Sequence, residues 1–167
     1  MIAATSAAPI LRRRIEMVKG TGFRTNQPYH AAEEMKLPDA EAFLKRTEKL
    51  AVDLAAASIR DALSELSDRY QIKRASVLLA SGKPLPELGR ILAAHPLIHT
   101  AEGVFFREVL KSACERCGLA VSGVRERDVP AGSVARAAGF AKTLGRPWTL
   151  DEKFSTAAAW IALEDDH

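Results

Sequence analysis

Cysteine is scarce in this chain, aromatic side chains are few, and long apolar runs are missing. Two cysteines in 167 residues cannot supply a disulfide framework, so a reducing cytoplasm is the expected location. No apolar run approaches the ~18 residues of a membrane-spanning helix, and we therefore predict no membrane segment. The basic run Arg12–Arg14 follows the weakly apolar start instead of preceding it, which is the wrong order for a secretory signal.

Apolar residues are nevertheless abundant enough for a full core. They make up 47% of the chain and charged residues 27%, which excludes disorder, collagen and low-complexity sequence. A length of 167 residues lies within the ~100–200 typical of one domain. We therefore predict a single domain over residues 1–167, in which residues 1–11 form a disordered or loosely attached N-terminus.

Charge is distributed unevenly along the chain. The formal net charge is +3, yet residues 70–147 carry twelve basic and six acidic side chains, a local charge of +6. Such a block suits nucleic acid, because its phosphates attract Lys and Arg. Mixed charges on solvated faces give the same count, and nucleic-acid binders usually have a denser basic patch. Nucleic acid is therefore a candidate partner that charge alone does not establish.

Hydrophobic periodicity divides the first half of the chain into short strands and one long helix. Residues 14–18 are predicted as a strand that turns at Gly20–Gly22 and returns over Phe23–Thr25. A loop with one helical turn follows. Asp39 is a suitable N-cap for a helix over residues 39–69, whose apolar stripe comprises Phe43, Leu50, Leu54, Ile59, Leu63 and Leu66.

Apolar runs and helix signals alternate in the second half. The nearly continuous apolar runs at residues 72–80 and 119–124 are typical of strands covered on both faces. Thr149 and Glu152 form a capping box at the start of the last helix. Helices are predicted from the positions of proline, glycine and capping residues, over residues 85–94, 101–117, 131–144 and 150–163.

The resulting order is strand, long helix, strand, two helices, strand, two helices. Strands separated by helices predict an α/β fold with mostly parallel pairing. The chain resembles the ribonuclease H-like superfamily, closest to the RuvC-type Holliday-junction resolvases, in four segments: Val18–Thr25, Ser76–Ala80, Glu102–Val124 and Thr156–Leu163. The resemblance implies a ribonuclease H-like domain with a central mixed sheet of mostly parallel strands, flanked by helices.

The chain lacks most of the carboxylates that this resemblance calls for. It has no acidic residue before Arg14, it has Ala80-Ser81 where such nucleases have a glutamate, and only Asp151 and Glu152 stand in the closing helix. Two-metal phosphodiester hydrolysis needs several carboxylates around cations ~3.5–4 Å apart. The resemblance therefore implies a divergent domain without the usual nuclease site. Asp151 is the candidate surviving acid, and no metal or cofactor is predicted.

Residues 95–103 are the most suggestive stretch for chemistry, since they contain two histidines, a threonine and a glutamate. The spacing His95-x3-His99 is typical of zinc motifs when both side chains lie on one helical face. Pro96 is expected to prevent a helix there, so we predict no helical metal pair. His95 is instead a candidate ligand-binding residue in a loop.

That loop is predicted to enter a helix near Ala101. His99, Thr100 and Glu102 then gather at the positive end of the helix dipole, with His99 and Glu102 as candidate catalytic groups and Thr100 as a ligand-binding residue. The structural alternative is that Thr100 is the N-cap, Glu102 complements the dipole and the histidines hold the loop by hydrogen bonds.

Three further positions are candidate ligand-binding residues. Ser81 and Lys83 follow a predicted central strand, at the edge where α/β sheets bind ligands, although a turn with a solvated lysine gives the same sequence. Arg107 is able to reach a phosphate or to pair with acids on its own helix. Cys114 and Cys117 lie late in a helix, which favours core packing over a redox site.

The sequence thus leaves three functions open. The first is a ribonuclease H-like binding or interaction module that has lost cleavage. The second is an enzyme of unknown reaction that uses His99, Glu102 and Asp151. The third is a basic nucleic-acid-binding protein without catalysis. A homodimer through an exposed helix face is compatible with all three.

Overall fold

Helices form most of the regular structure in the computed structural model, which describes residues 1–19, 26–79 and 84–164. The elements, in chain order, are β1 (Ile2–Ala4), β2 (Pro9–Arg12), α1 (Pro28–Ala32), α2 (Leu37–Leu66), β3 (Arg74–Leu79), α3 (Leu88–Leu92), α4 (His95–Arg116), β4 (Ala120–Arg125), a 3-10 turn (Glu126–Asp128), α5 (Ala131–Ala138), α6 (Ala141–Leu144) and α7 (Leu150–Glu164). Within these residues, no helix combines the length and apolar character needed to cross a bilayer.

Two small sheets stand where one central sheet was predicted. β1 and β2 form an antiparallel hairpin, whereas β3 and β4 pair in parallel with Arg74 opposite Ala120. The α/β class and the parallel pairing of these two predicted strands are confirmed. A sheet of more than two strands does not form among residues 1–19, 26–79 and 84–164.

The strands of the parallel pair are less buried than their apolar sequences predict. Val77 is buried, but Leu79 is 37% exposed and β4 contains no fully buried residue. α7 and α4 pack against β3, and α4 also packs against β4. The two strands are therefore covered by helices without forming the centre of the core.

The main core lies where α2 packs against α4. The long helix is confirmed, and Ile59 and Leu66 of the predicted stripe are buried, but alanine makes up most of the buried face. Leu50 of the stripe is 63% exposed. Small side chains allow two helices to pack with an interaxial distance at the short end of the usual ~8–10 Å range. The buried residues of this core are Ala51, Ala55, Ala56, Ile59, Phe105, Val109 and Ala113.

The N-terminus is a packed hairpin, so the prediction of a loosely attached segment over residues 1–11 is wrong. The indole Nε1 of Trp160 donates to the carbonyl oxygen of Thr5 at 2.9 Å. Arg136 donates to the carbonyls of Ser6 and Ala7 and lies 4.1 Å above the Trp160 ring. The turn of the hairpin is therefore held by hydrogen bonds from Trp160 of α7 and Arg136 of α5.

Other boundaries also differ from the sequence prediction. Residues 14–18 do not form a strand, because they pair with no neighbour in the described chain. The predicted helix over residues 131–144 is two helices, separated at Gly139–Phe140. The predicted returning strand Phe23–Thr25 and the turn containing Ser81 and Lys83 lie outside the described residues.

The predicted capping box at α7 is confirmed. Glu152 Oε2 accepts hydrogen bonds from the Thr149 backbone N–H at 2.7 Å and from the Thr149 hydroxyl at 3.0 Å, and the Glu152 N–H donates back to that hydroxyl. Arg12 donates to the other carboxylate oxygen at 2.5 Å. The cap of α7 therefore also holds β2.

We expect Thr149→Ala to lower the free energy of unfolding by about 1 kcal/mol, because the capping hydroxyl is lost. Burial raises the pKa of Glu152, but hydrogen bonds from Thr149 and Arg12 outweigh it and leave the pKa below its ordinary 4.5. A lowered pKa stabilises the fold above that ordinary value, and the contribution is lost as the pH falls through the folded pKa. The difference in unfolding free energy between wild type and variant, measured by urea denaturation, should therefore become smaller in acid.

Thr143→Ala is a matched control, because Thr143 is an exposed threonine on α6. We expect it to change the unfolding free energy by less than about 0.5 kcal/mol. Equal losses in the two variants, or a Thr149→Ala loss that does not depend on pH, would contradict the assigned role of the capping box.

Candidate metal centre

Three of the four histidines of the chain meet at the N-terminal end of α4. His30 comes from α1, and His95 and His99 come from α4. One potential ligand atom of each lies within 4.8 Å of those of the other two. His95 Nε2 and His99 Nε2 are 3.0 Å apart, and the His30 ring centroid is 4.7 Å from that of His99.

α4 places His95 and His99 on one helical face, contrary to the sequence prediction. The helix begins at His95, and Pro96 occupies its first turn. Proline is tolerated there, because its missing N–H would have no intrahelical acceptor in any case. Residues four apart on a helix are neighbours, so the two imidazoles project together. The spacing was informative, and the objection from Pro96 was wrong.

The early start of α4 also changes the roles predicted for Thr100 and Glu102. Thr100 is not an N-cap, since its hydroxyl donates to the carbonyl of Pro96 one turn earlier, at 2.9 Å. Glu102 lies in the second turn of α4, and its carboxylate accepts hydrogen bonds from α1 instead of from α4. Its Oε1 accepts hydrogen bonds from the N–H groups of Tyr29 at 2.8 Å and of His30 at 3.2 Å.

Glu102 therefore caps α1 from a neighbouring helix. The same Oε1 lies 3.2 Å from His30 Nδ1, which donates to it in the tautomer that carries the proton on Nδ1. A carboxylate that holds one ring nitrogen of a histidine fixes the orientation of the ring and the tautomer that it offers to a metal. Glu102 thus occupies an outer-shell position behind His30.

The second oxygen of Glu102 has a different environment. Oε2 is buried and has no hydrogen-bond partner among the described residues. A buried carboxylate oxygen without a donor is costly unless positive charge lies nearby. A cation held by the three histidines would supply that charge through the His30 ring.

The cluster has one buried and one open side. The side chain of His30 is only 7% exposed, whereas His95 and His99 are exposed. Ligand nitrogens at the usual ~2.0–2.1 Å from a tetrahedral zinc are roughly 3.3 Å apart. The 3.0 Å between His95 Nε2 and His99 Nε2 is near that value, and a ligand nitrogen of His30 lies within 4.8 Å of both.

Most of the other residues predicted from the sequence lie away from this cluster. Arg107 spans the gap between α4 and β3, where its Nε donates to the carbonyl of Leu78 at 3.0 Å. Asp151 is exposed in the first turn of α7 and is not part of the histidine cluster. Ser81 and Lys83 are outside the described residues.

The two cysteines do not form a reactive site. Cys114 packs beside the core of α2 and α4, and burial raises the pKa of its thiol to about 11. The thiol is therefore protonated at neutral pH and is a poor nucleophile. Cys117 donates to the carbonyl of Ala56 at 3.5 Å. Both contacts agree with the packing role that the sequence favours.

His30 is the member of the histidine cluster that the sequence did not single out. It lies 65 positions before His95, and no spacing rule links the two. The available signal was the rarity of histidine itself, with four in the whole chain. Comparisons with protein-family models, with curated proteins and with solved structures find no match for this chain.

We expect Glu102→Ala to speed amide hydrogen exchange at Tyr29 and His30 by about 5- to 150-fold, since a buried donor without an acceptor costs about 1–3 kcal/mol. Glu102→Gln retains a carbonyl oxygen and should preserve protection at both amides. Amides in α7 serve as the internal control. Unchanged exchange at Tyr29 and His30 in Glu102→Ala would show that Glu102 does not cap α1.

Proposed function

We propose that this protein binds one transition-metal ion of the zinc class through His30, His95 and His99. The observation that carries the proposal is the convergence of three histidines from two helices, with ligand atoms within 4.8 Å. A hydrogen-bonded histidine pair would account for His95 and His99 alone. It would not account for a third imidazole whose orientation is set by the carboxylate of Glu102.

The ligand atoms decide the class of metal. Imidazole nitrogen suits Zn²⁺, Cu²⁺, Ni²⁺ and Fe²⁺, whereas Mg²⁺ and Ca²⁺ prefer oxygen ligands. A carboxylate behind a ligating histidine is common in zinc sites. The proposed site therefore differs in kind from the carboxylate cluster of two-metal nucleases, and neither Mg²⁺ nor Ca²⁺ should compete for it.

Metal binding at this position would join α1 to α4. α1 has only five residues, so its own hydrogen bonds cannot make it stable. An ion that binds the folded protein and not the unfolded chain stabilises the fold by about 2.7 kcal/mol at a hundred times its dissociation constant. Zinc should therefore raise the unfolding temperature, and the increase should depend on zinc concentration.

We expect the wild-type protein to bind one equivalent of Zn²⁺ in isothermal titration calorimetry and to show the thermal shift. His30→Ala, His95→Ala and His99→Ala should each weaken binding beyond the roughly 10–100-fold that loss of an outer-shell partner causes. Glu102→Gln should fall within that range, because it keeps the cap and removes the negative charge.

His167→Ala is the matched control, since it removes the only other histidine of the chain. It should bind zinc as the wild type does. Equal affinity in wild type and in the three site variants would contradict the proposal. A thermal shift with Mg²⁺ as large as with Zn²⁺ would contradict the metal class.

A ribonuclease H-like domain that has lost its nuclease site is a second proposal. The observation in its favour is the parallel pairing of β3 and β4, with two helices between them. Glu152 is engaged in the cap of α7 and in an ion pair with Arg12, which leaves Asp151 as the accessible acid in the first turn of that helix. Within this proposal the basic residues of positions 70–147 would contact nucleic acid.

We expect such binding to weaken steeply as salt is raised, because each phosphate contact releases counterions. Fluorescence anisotropy with duplex and four-way-junction DNA over a salt series measures the slope, and Arg127→Gln tests an exposed member of the basic block. A flat salt response, or no binding at low salt, would contradict nucleic-acid binding and leave the metal proposal unaffected.

A further inference from the structure

We infer that the proposed metal ion keeps at least one exchangeable coordination position on its solvent side, and that this position takes a small anionic oxygen or nitrogen donor. The inference rests on the metal site proposed above and adds the ligand class to it. The observation behind it is the asymmetry of the cluster, in which His30 is buried and His95 and His99 are exposed.

The described chain offers three ligands and no fourth. Glu102 Oε1 is committed to the N–H groups of α1 and to His30 Nδ1, and neither oxygen of Glu102 belongs to the group of ligand atoms that lie within 4.8 Å of one another. Cys114 lies fifteen residues after His99 on the same helix, roughly 22 Å away along the axis. Zinc sites with three protein ligands and an open position take water or substrate there.

The charge around the site favours an anion. Three neutral imidazoles leave the full charge of a divalent cation uncompensated by its ligands, unlike sites built from thiolates or carboxylates. The ion would also lie at the N-terminus of α4, a 22-residue helix whose dipole presents positive potential there. Glu102, the negative group in contact with His30, stands behind the ring and away from the open side.

The surface around the site offers a ligand little apolar contact. A groove of about 530 Å³ is lined by Tyr29, Leu44, Ile91 and Phe105, and the three histidines are not part of its lining. An incoming ligand would thus meet the ion at an exposed surface, with little apolar area to bury. Small donors such as thiocyanate or a carboxylate fit this geometry better than a bulky molecule.

The test uses the full chain loaded with Co²⁺, whose visible spectrum reports its coordination. Titration with thiocyanate should shift the cobalt bands saturably, and perchlorate at equal ionic strength should not. His167→Ala should give the same spectrum and the same shift. His99→Ala should lose the spectrum of the bound ion.

Four results would overturn the inference. Absence of cobalt binding would remove it together with the proposed function. Cobalt binding with no thiocyanate shift would show a closed site and leave the proposed function intact. A spectrum altered in His167→Ala before thiocyanate is added would show that His167 fills the position. A cobalt-dependent dimer in sedimentation, dissociated by thiocyanate, would show that a second copy supplies the ligand.

Discussion

One carboxylate oxygen of Glu102 accepts hydrogen bonds from the backbone N–H groups of Tyr29 and His30 and lies beside His30 Nδ1. α1 has too few residues to be stable as an isolated helix. Its position against α4 therefore depends on this contact and on the burial of Ala31 and Ala32. The orientation of the His30 ring follows from the same oxygen. Without that oxygen the His30 ring would lose the contact that sets its orientation beside His99.

The positions of His95 and His99 depend on the packing of α4. Ile98, Ala101 and Phe105 are buried on one face of the helix, while His95 and His99 are exposed on another. Packing against α2 and α3 therefore fixes the rotation of α4 and points both imidazoles at α1. Sites carried by packed helices hold their geometry better than sites on loops.

Local signals predicted the elements that depend on neighbours in sequence. The capping box of Thr149 and Glu152 located the start of α7 because its hydrogen bonds span three residues. The length of α2 was predicted well, but only part of its buried face was, because alanine gives a weaker apolar signal than leucine and packs more closely. The hairpin of residues 2–12 was missed, since it is held by Trp160 and Arg136 from the far end of the chain.

Part of the candidate site was likewise visible in the sequence, and part of it depends on tertiary packing. The spacing of His95 and His99 was visible in the sequence. Whether the two side chains share a helical face depends on where α4 begins, and a proline in the first turn is compatible with a helix. Glu102 was predicted as a catalytic group or as an acid at the start of its own helix, whereas its carboxylate caps α1. His30 was not predictable, because only the packing of α1 on α4 brings it within reach.

X-ray absorption at the zinc edge of the zinc-loaded protein measures whether three imidazoles bind the ion. We expect nitrogen or oxygen scatterers at about 2.0–2.1 Å, with outer-shell scattering from three imidazoles that falls to two in His30→Ala. Sulfur at about 2.3 Å, or a first shell of oxygen without imidazole scattering, would contradict it.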